Sequence, residues 1–131
     1  MKDWAALFLR LGAGAIFVVH GLQKMFGFFG GQGIQGFSEM LTNLGFTNPL
    51  MWAHIAAYVE IVGGLFLIFG IFVRTSSFLL FILLIVAAVK VHLPNGFFIS
   101  NGGVEYVLTL GCMVIALITM GGGKIALMRK G

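Results

Sequence analysis

The sequence predicts an all-α integral membrane protein: an antiparallel four-helix bundle with a short interfacial amphipathic helix in its first loop. Three observations lead there. Of the 131 residues, 60% are hydrophobic and 9% are charged, where a soluble domain carries about 25% charged residues. The apolar residues gather into four runs, each near the ~20 residues that cross hydrocarbon at 1.5 Å per residue. The charges stand almost entirely at the ends of those runs. A mean hydropathy of +1.07 describes a chain whose solvent is lipid.

Residues 1–131 read as a single transmembrane domain with spans at about 4–24, 50–72, 76–92 and 104–120. The first run opens behind Met1-Lys2-Asp3 as a signal peptide would. Arg10 interrupts it where a signal is most hydrophobic, and the run continues past the weak Ala13-Gly14-Ala15 site, so it is an uncleaved span. Between the first and second spans lies a substantial loop, Met25–Pro49. Its Gly27-Phe28-Phe29-Gly30-Gly31 stretch suits an interfacial turn on the lipid head groups. Ile34, Phe37, Leu41 and Leu44 then recur at three and four, which predicts a short amphipathic helix. Gly45 stops that helix, and Asn48-Pro49 opens the second span. The third and fourth runs are short, but Lys90 can snorkel to the interface. Short connections between neighbouring spans favour the antiparallel bundle.

With four spans, Lys2, Arg74, Lys124, Arg129 and Lys130 fall on one side and Lys24 and Lys90 on the other. The positive-inside rule then puts both termini in the cytoplasm of a bacterial-type inner membrane, with the first loop and the 93–103 connection facing outward. Small residues recur at sevens, Gly14 with Gly21 and Gly63 with Gly70, a spacing that allows close helix packing. There is also an internal echo. His20 to Gly30 and Lys90 to Phe98 each place a Lys and a His at an outward span end followed by Gly-Phe-Phe, and each precedes a span bearing a glutamate, Glu60 or Glu105.

Composition closes several function classes. A net charge of +4 and a pI near 9.7 could suggest nucleic acid, but the charges follow membrane topology. The lone Cys112 permits neither an intramolecular disulfide nor a paired-Cys metal motif, and it reads as a small packing residue. No glycine cluster has the strand–turn–helix setting of a phosphate loop, and no Ser-His-Asp arrangement stands out.

What remains is polar chemistry where lipid should forbid it. An ionisable group within a span costs roughly 2.5–3.5 kcal/mol on insertion scales and by default has a partner and a purpose. Counting helical rise puts Arg10 about 21 Å inward of Lys24 and Glu60 about 16 Å inward of Pro49, levels about one turn apart. The expectation is an Arg10–Glu60 ion pair, since arginine offers a carboxylate two parallel hydrogen bonds. It would be a clamp fixing helix register, or one wall of a polar site. His20, Lys24, His54, Lys90, His92, Asn95, Asn101 and Glu105 form an outer rim. They are candidates for holding a head group or relaying protons, or they meet only lipid phosphate and water. No metal site is expected: His20, His92 and Glu105 lack tight ligand spacing. Haem, which would need His20 facing His92, is disfavoured. A quinone or another amphipathic head group best fits polar ends with apolar flanks.

Three strings carry a resemblance. They are R-L-x-x-G-x-x-F-x-x-H-G-x-x-K from Arg10 to Lys24, E-x-x-G-G-x-x-L-x-x-G from Glu60 to Gly70, and H-x-P-N-G-F-F-x-S-N-G-G-x-E-Y from His92 to Tyr106. Together with Arg74 they make the chain resemble the DoxX family of small four-span membrane proteins over about Ala5 to Gly121. The resemblance implies a membrane bundle linked to redox chemistry. Relatives include a small membrane subunit of a thiosulfate:quinone oxidoreductase, and membrane partners in oxidative-stress or thiol-redox complexes. It transfers no catalytic residue. The leading expectation is a quinone-interacting accessory subunit that works with a redox partner protein, its own status as an enzyme left open. The alternatives are a non-catalytic membrane scaffold for a partner enzyme, or a small transporter that would need to homo-oligomerise.

Overall fold

The computed structural model describes residues 1–128. Arg129 and Lys130, counted above for topology, lie outside them. Five α-helices make the fold: α1 (Lys2–Phe26), α2 (Gly33–Asn43), α3 (Pro49–Phe69), α4 (Val73–Ala87) and α5 (Glu105–Met120). No strand occurs among the described residues. Helices α1, α3, α4 and α5 each pack on the next, and α5 returns to α1, which closes a four-helix bundle. Helix α2 lies against α1 and α3. The expected all-α membrane bundle is what the chain forms.

Lys2–Phe26, Pro49–Phe69 and Val73–Asn95 are each long and apolar enough to cross a membrane, and Glu105–Met120 is a shorter apolar helix. The third span outruns the apolar run that predicted it because α4 continues through a π-helical turn, Ala88–His92, and a 3-10 turn, Leu93–Asn95. Inside the bundle Phe17, Leu67, Leu80, Leu110, Val114 and Leu117 form the core. Large side chains such as Phe8, Leu79, Ile82 and Ile115 point outward and stay exposed. An apolar exterior this extended on all sides is what a protein solvated by lipid presents.

Helix α2 forms at nearly its predicted bounds for the predicted reason. Phe37 and Leu41 bury themselves against Ala53 of α3, with Ile34, Met40, Leu44 and Phe46 packed around them. It starts at Gly33, with φ of 71°, and is followed by Gly45, with φ of 90°. Both are backbone states that glycine reaches without strain.

The glycines set how closely the spans approach. Gly14 and Gly21 of α1 face α3, where Gly64 meets Gly14 backbone to backbone. A Cβ on Gly14 would lie 2.7 Å from the Gly64 carbonyl oxygen, and one on Gly21 would lie 3.1 Å from the Ala57 oxygen. The seven-residue pair in the second span divides its labour: Gly63 packs on Leu80 of α4, while Gly70 ends α3 in the left-handed region. These contacts fix an antiparallel register in which Gly14 lies opposite Gly64 and Ile68, and Gly21 opposite Ala57 and Ile61. That register decides which polar groups can meet.

Gly14→Val should therefore push α1 from α3 and destabilise the bundle by about 1–3 kcal/mol, the usual cost of overpacking. Gly111→Ala places its Cβ where nothing lies within 4 Å, and should leave stability unchanged within about 0.5 kcal/mol. Thermal unfolding of both variants in one detergent checks the contrast.

Candidate functional site

Arg10 is buried to 2% exposure, and its guanidinium is surrounded by backbone carbonyls. Nε donates to the Leu67 oxygen at 2.9 Å, and one terminal nitrogen donates to Gly122 at 2.8 Å and Ile125 at 2.7 Å. The other donates to Ile68 at 3.3 Å. Leu67 and Ile68 stand in the last turn of α3, where carbonyls lack i+4 donors and the helix dipole is negative, although Leu67 also accepts the Gly70 amide at 3.2 Å. Gly122 and Ile125 belong to the tail that follows α5. This tail folds across the end of the bundle, with the Leu127 and Met128 amides donating to the Phe69 and Gly70 carbonyls at 3.2 and 3.0 Å. The Lys124 amide donates to Asp3 Oδ1 at 2.9 Å. Gly70 is needed here, because its φ is 74° and a Cβ would lie 2.5 Å from Ala126 Cβ.

The expected Arg10–Glu60 pair is therefore corrected. The rise count assumed that the second span starts level with Lys24. In the observed register Lys24 lies opposite about residue 56, so α3 projects roughly two turns beyond it. Arg10 ends up level with Gly70, some 15 Å along the axis from Glu60.

Glu60 pairs with Lys24 instead, Nζ donating to Oε1. The glutamate side chain is 8% exposed and the lysine 29%. The ammonium also lies 5.1 Å from the centroid of the Phe37 ring of α2, a cation–π contact. Thus α2 covers the pair from the end of the bundle away from Arg10. The second carboxylate oxygen, Oε2, is buried and has no hydrogen-bond partner.

His20 lies level with Glu60 in the helix register. Its ring packs against Tyr106 of α5, centroids 5.3 Å apart at 38°. The two rings line a cleft of about 250 Å³ whose other walls are Ala15, Ile16 and Val19. It sits on the α1–α5 seam, the least extensive of the four seams in the ring. The result is an open, largely apolar depression in the side of the bundle, with an imidazole and a phenol among its lining. Such a shape suits a lipid-soluble molecule with a polar ring, entering from the bilayer.

The other rim residues do not join this site. His92 Nδ1 is hydrogen-bonded to the Gly102 carbonyl at 2.9 Å, and Asn95 Nδ2 donates to the same oxygen at 3.4 Å. Both hold the 93–103 connection in place. His54 stacks on Tyr58 at 6.2 Å, within its own helix. Lys90 and Asn101 are exposed, and Glu105 begins α5 half-buried. No group of three His, Cys, Asp or Glu that could hold a metal forms among the described residues. Tyr106 and Phe37 were not singled out beforehand. Tyr106 stood in the matching string beside Glu105, and Phe37 in the amphipathic stripe, with only packing as its evident role.

A family model described as DoxX matches residues 5–93. A Bacillus subtilis protein named "Putative oxidoreductase CatD" is 33% identical over 111 residues, covering 85% of this chain and 76% of that protein. An uncharacterized Haemophilus influenzae protein is 31% identical over 137 residues, covering 98% of this chain and 92% of its own length. No solved structure matches.

The geometry ranks three substitutions. Lys24→Met leaves a buried carboxylate alone and should cost about 3–5 kcal/mol. Glu60→Gln should cost less, because the freed ammonium of the partly exposed Lys24 can turn to water at the nearby membrane interface. Arg10→Met strands four carbonyls and should rival Lys24→Met. In double-mutant cycles, Lys24 and Glu60 should couple strongly, while Arg10 and Glu60 should be additive within about 0.5 kcal/mol. Chemical denaturation in detergent measures all of these; strong Arg10–Glu60 coupling would contradict the register.

Proposed function

This chain belongs to the DoxX family of membrane proteins, and on that premise we propose that it is a quinone-interacting accessory subunit of a membrane redox complex. One observation carries the reading: His20 and Tyr106 are set together into the wall of an otherwise apolar lateral cleft. The cleft is slightly smaller than a drug-sized pocket, which spans roughly 300–1,000 Å³. It therefore suits a single substituted ring whose apolar tail remains in the bilayer. The oxidoreductase name of the Bacillus relative supports a redox setting, and electrons would pass to or from a partner polypeptide.

The scaffold reading keeps part of the evidence. Arg10 serves the closure of the bundle end, and His92 and Asn95 serve the 93–103 connection, so three of the residues first set aside for a head group or a polar wall are structural. The functional reading rests on the His20–Tyr106 cleft.

We also propose that the cleft opens toward the outer leaflet of a bacterial-type inner membrane, with the N-terminus in the cytoplasm. Lys2, Arg74 and Lys124 gather at the Arg10 end. At the other end the charge of Lys24 is matched by Glu60, which leaves Lys90. The uneven cation count favours that orientation.

Two measurements test these readings. Lipid extraction of protein purified in mild detergent should release quinone, and His20→Ala or Tyr106→Phe should lower the recovered ratio by about tenfold, the value of one hydrogen bond. Lys90→Ala should not lower it. Absence of quinone from the wild-type extract would count against the proposal. For topology, with Cys112 first replaced by Ser, Gln32→Cys should react with a membrane-impermeant maleimide added outside cells. Lys2→Cys should react only after lysis.

A further inference from the structure

We propose that α2 is a lid: it lifts from α3 while the four-helix bundle stays closed, and its lifting admits water to the buried carboxylate of Glu60. The lid stands apart from the His20–Tyr106 cleft. It caps one end of the bundle, whereas the cleft opens through the side.

The hydrophobic contacts that seat α2 are its own. Phe37 and Leu41 bury themselves against Ala53, and this cluster shares no residue with the bundle core of Phe17, Leu67, Leu80 and Leu110. The register gives the reason. Helix α1 meets the small-residue face of α3 at Gly64 and Ala57, and Ala53 lies one turn further out, where α2 covers it. Lifting α2 therefore removes no residue from the bundle core. The exposed face of α2, with Gln35, Glu39, Thr42 and Asn43, is polar and suited to water.

The helix also depends on its seat for its order. It has 11 residues and no side-chain cap at its N-terminus, and an isolated helix shorter than about 12–15 residues is marginal in water. Both connectors pass through left-handed backbone at residues other than glycine, Phe29 with φ of 55° and Asn48 with φ of 52°. A phenylalanine there is strained, and its carbonyl is held by Gln23 Nε2 at 3.4 Å. A short element with a separate core and strained connectors is the kind that opens ahead of global unfolding.

What the lid covers is incomplete. Lys24 Nζ donates to Glu60 Oε1 and lies 5.1 Å from the Phe37 ring centroid, so one ammonium ties the lid to the carboxylate. Glu60 Oε2 is buried, and no donor reaches it among the described residues. Buried polar atoms without partners are rare, and a water beside a charged pair finds the polar partners it needs. With α2 seated, Phe37 stands over the ammonium. With α2 lifted, the ammonium loses the ring and the carboxylate gains a donor from the aqueous side. Phe37 is thus the latch, and closure competes with hydration of the pair.

The test uses the full chain in lipid nanodiscs, with Cys112→Ser as background. A water-soluble methanethiosulfonate should modify the thiol of Ala53→Cys at least about tenfold faster than that of Val107→Cys. Val107 is buried in the bundle core near the same end. Phe37→Leu keeps an apolar side chain but removes the cation–π contact. It should raise the Ala53→Cys rate by about threefold and leave the Val107→Cys rate unchanged. Carbodiimide coupling to a hydrophilic amine, read by mass spectrometry, should label Glu60 about threefold more in Phe37→Leu than in wild type. The exposed Glu39 should be labelled equally in both. Modification of Ala53→Cys no faster than of Val107→Cys would overturn the lid. A rise at Ala53→Cys without a rise at Glu60 would overturn its control of the carboxylate. The comparison of the two thiols decides on the lid even if Phe37→Leu fails to fold.

Discussion

A guanidinium inside an apolar bundle must be met by oxygen atoms, because lipid offers none and the charge cannot be shed. Arg10 meets four, all from the backbone. Two come from the C-terminal end of α3 and two from the tail beyond α5, so one side chain on the first helix fastens the last turn of the second span to the segment that follows the fourth. The fold around it follows. Gly70 must be glycine so that the tail can cross, and Asp3 catches the tail at Lys124. Gly14 and Gly64 must be glycines so that α1 runs close enough to deliver the arginine. A carboxylate partner would have neutralised the charge but could not have joined these two segments.

Closing one end with carbonyls leaves the carboxylate of Glu60 free for the other. The bundle therefore has two polar storeys of opposite character, separated by the core of Phe17, Leu67, Leu80 and Leu110. At the Arg10 storey all three guanidinium nitrogens donate to carbonyls. At the Glu60 storey a carboxylate oxygen is left without a donor, two aromatic rings border a cleft, and the covering helix α2 is seated by apolar contacts and flanked by glycines. A fully satisfied buried network adds rigidity, while a partly satisfied one is a place where a ligand can complete it. The difference between the storeys is what separates structural from functional candidates among residues that look alike in the sequence.

The spans, the amphipathic α2 and the meeting of helices at small residues were all legible, because each is written as a periodicity of side chains. Two things were not. Arg10's partners are main-chain carbonyls, which every residue carries and no motif announces. The level of Glu60 was miscounted because α3 begins beyond Lys24, making room for α2 to pack on its first turns, and no local signal records how far a helix overshoots its neighbour. A three-residue error in depth would have been harmless; roughly two turns moved Glu60 from Arg10 to Lys24. The rim failed differently. His20, His92 and His54 share chemistry and an approximate depth, and what separates them is the direction in which each helix turns its face.

The internal echo shows that divergence most directly. His20 with Lys24 and His92 with Lys90 precede matching Gly-Phe-Phe segments, and both end as exposed aromatic pairs, Phe28-Phe29 within a 3-10 turn and Phe97-Phe98 just before one. Exposed phenylalanines beside span ends suit the membrane interface, where they bury apolar area at the head-group boundary. Anchoring thus remains common to both halves. The ionisable groups have parted. In the first half the order His-x-x-x-Lys places both residues on one helical face, with Lys24 paired to Glu60 and His20 level with it in the register. In the second half the order is Lys-x-His, two residues apart, and a π-helical turn intervenes. Lys90 is then thrown outward, while His92 turns back to the Gly102 carbonyl. Residues two apart on a helix cannot share a face. The reversed order and shortened spacing are therefore enough, by geometry alone, to make one half a candidate site and the other a loop clamp.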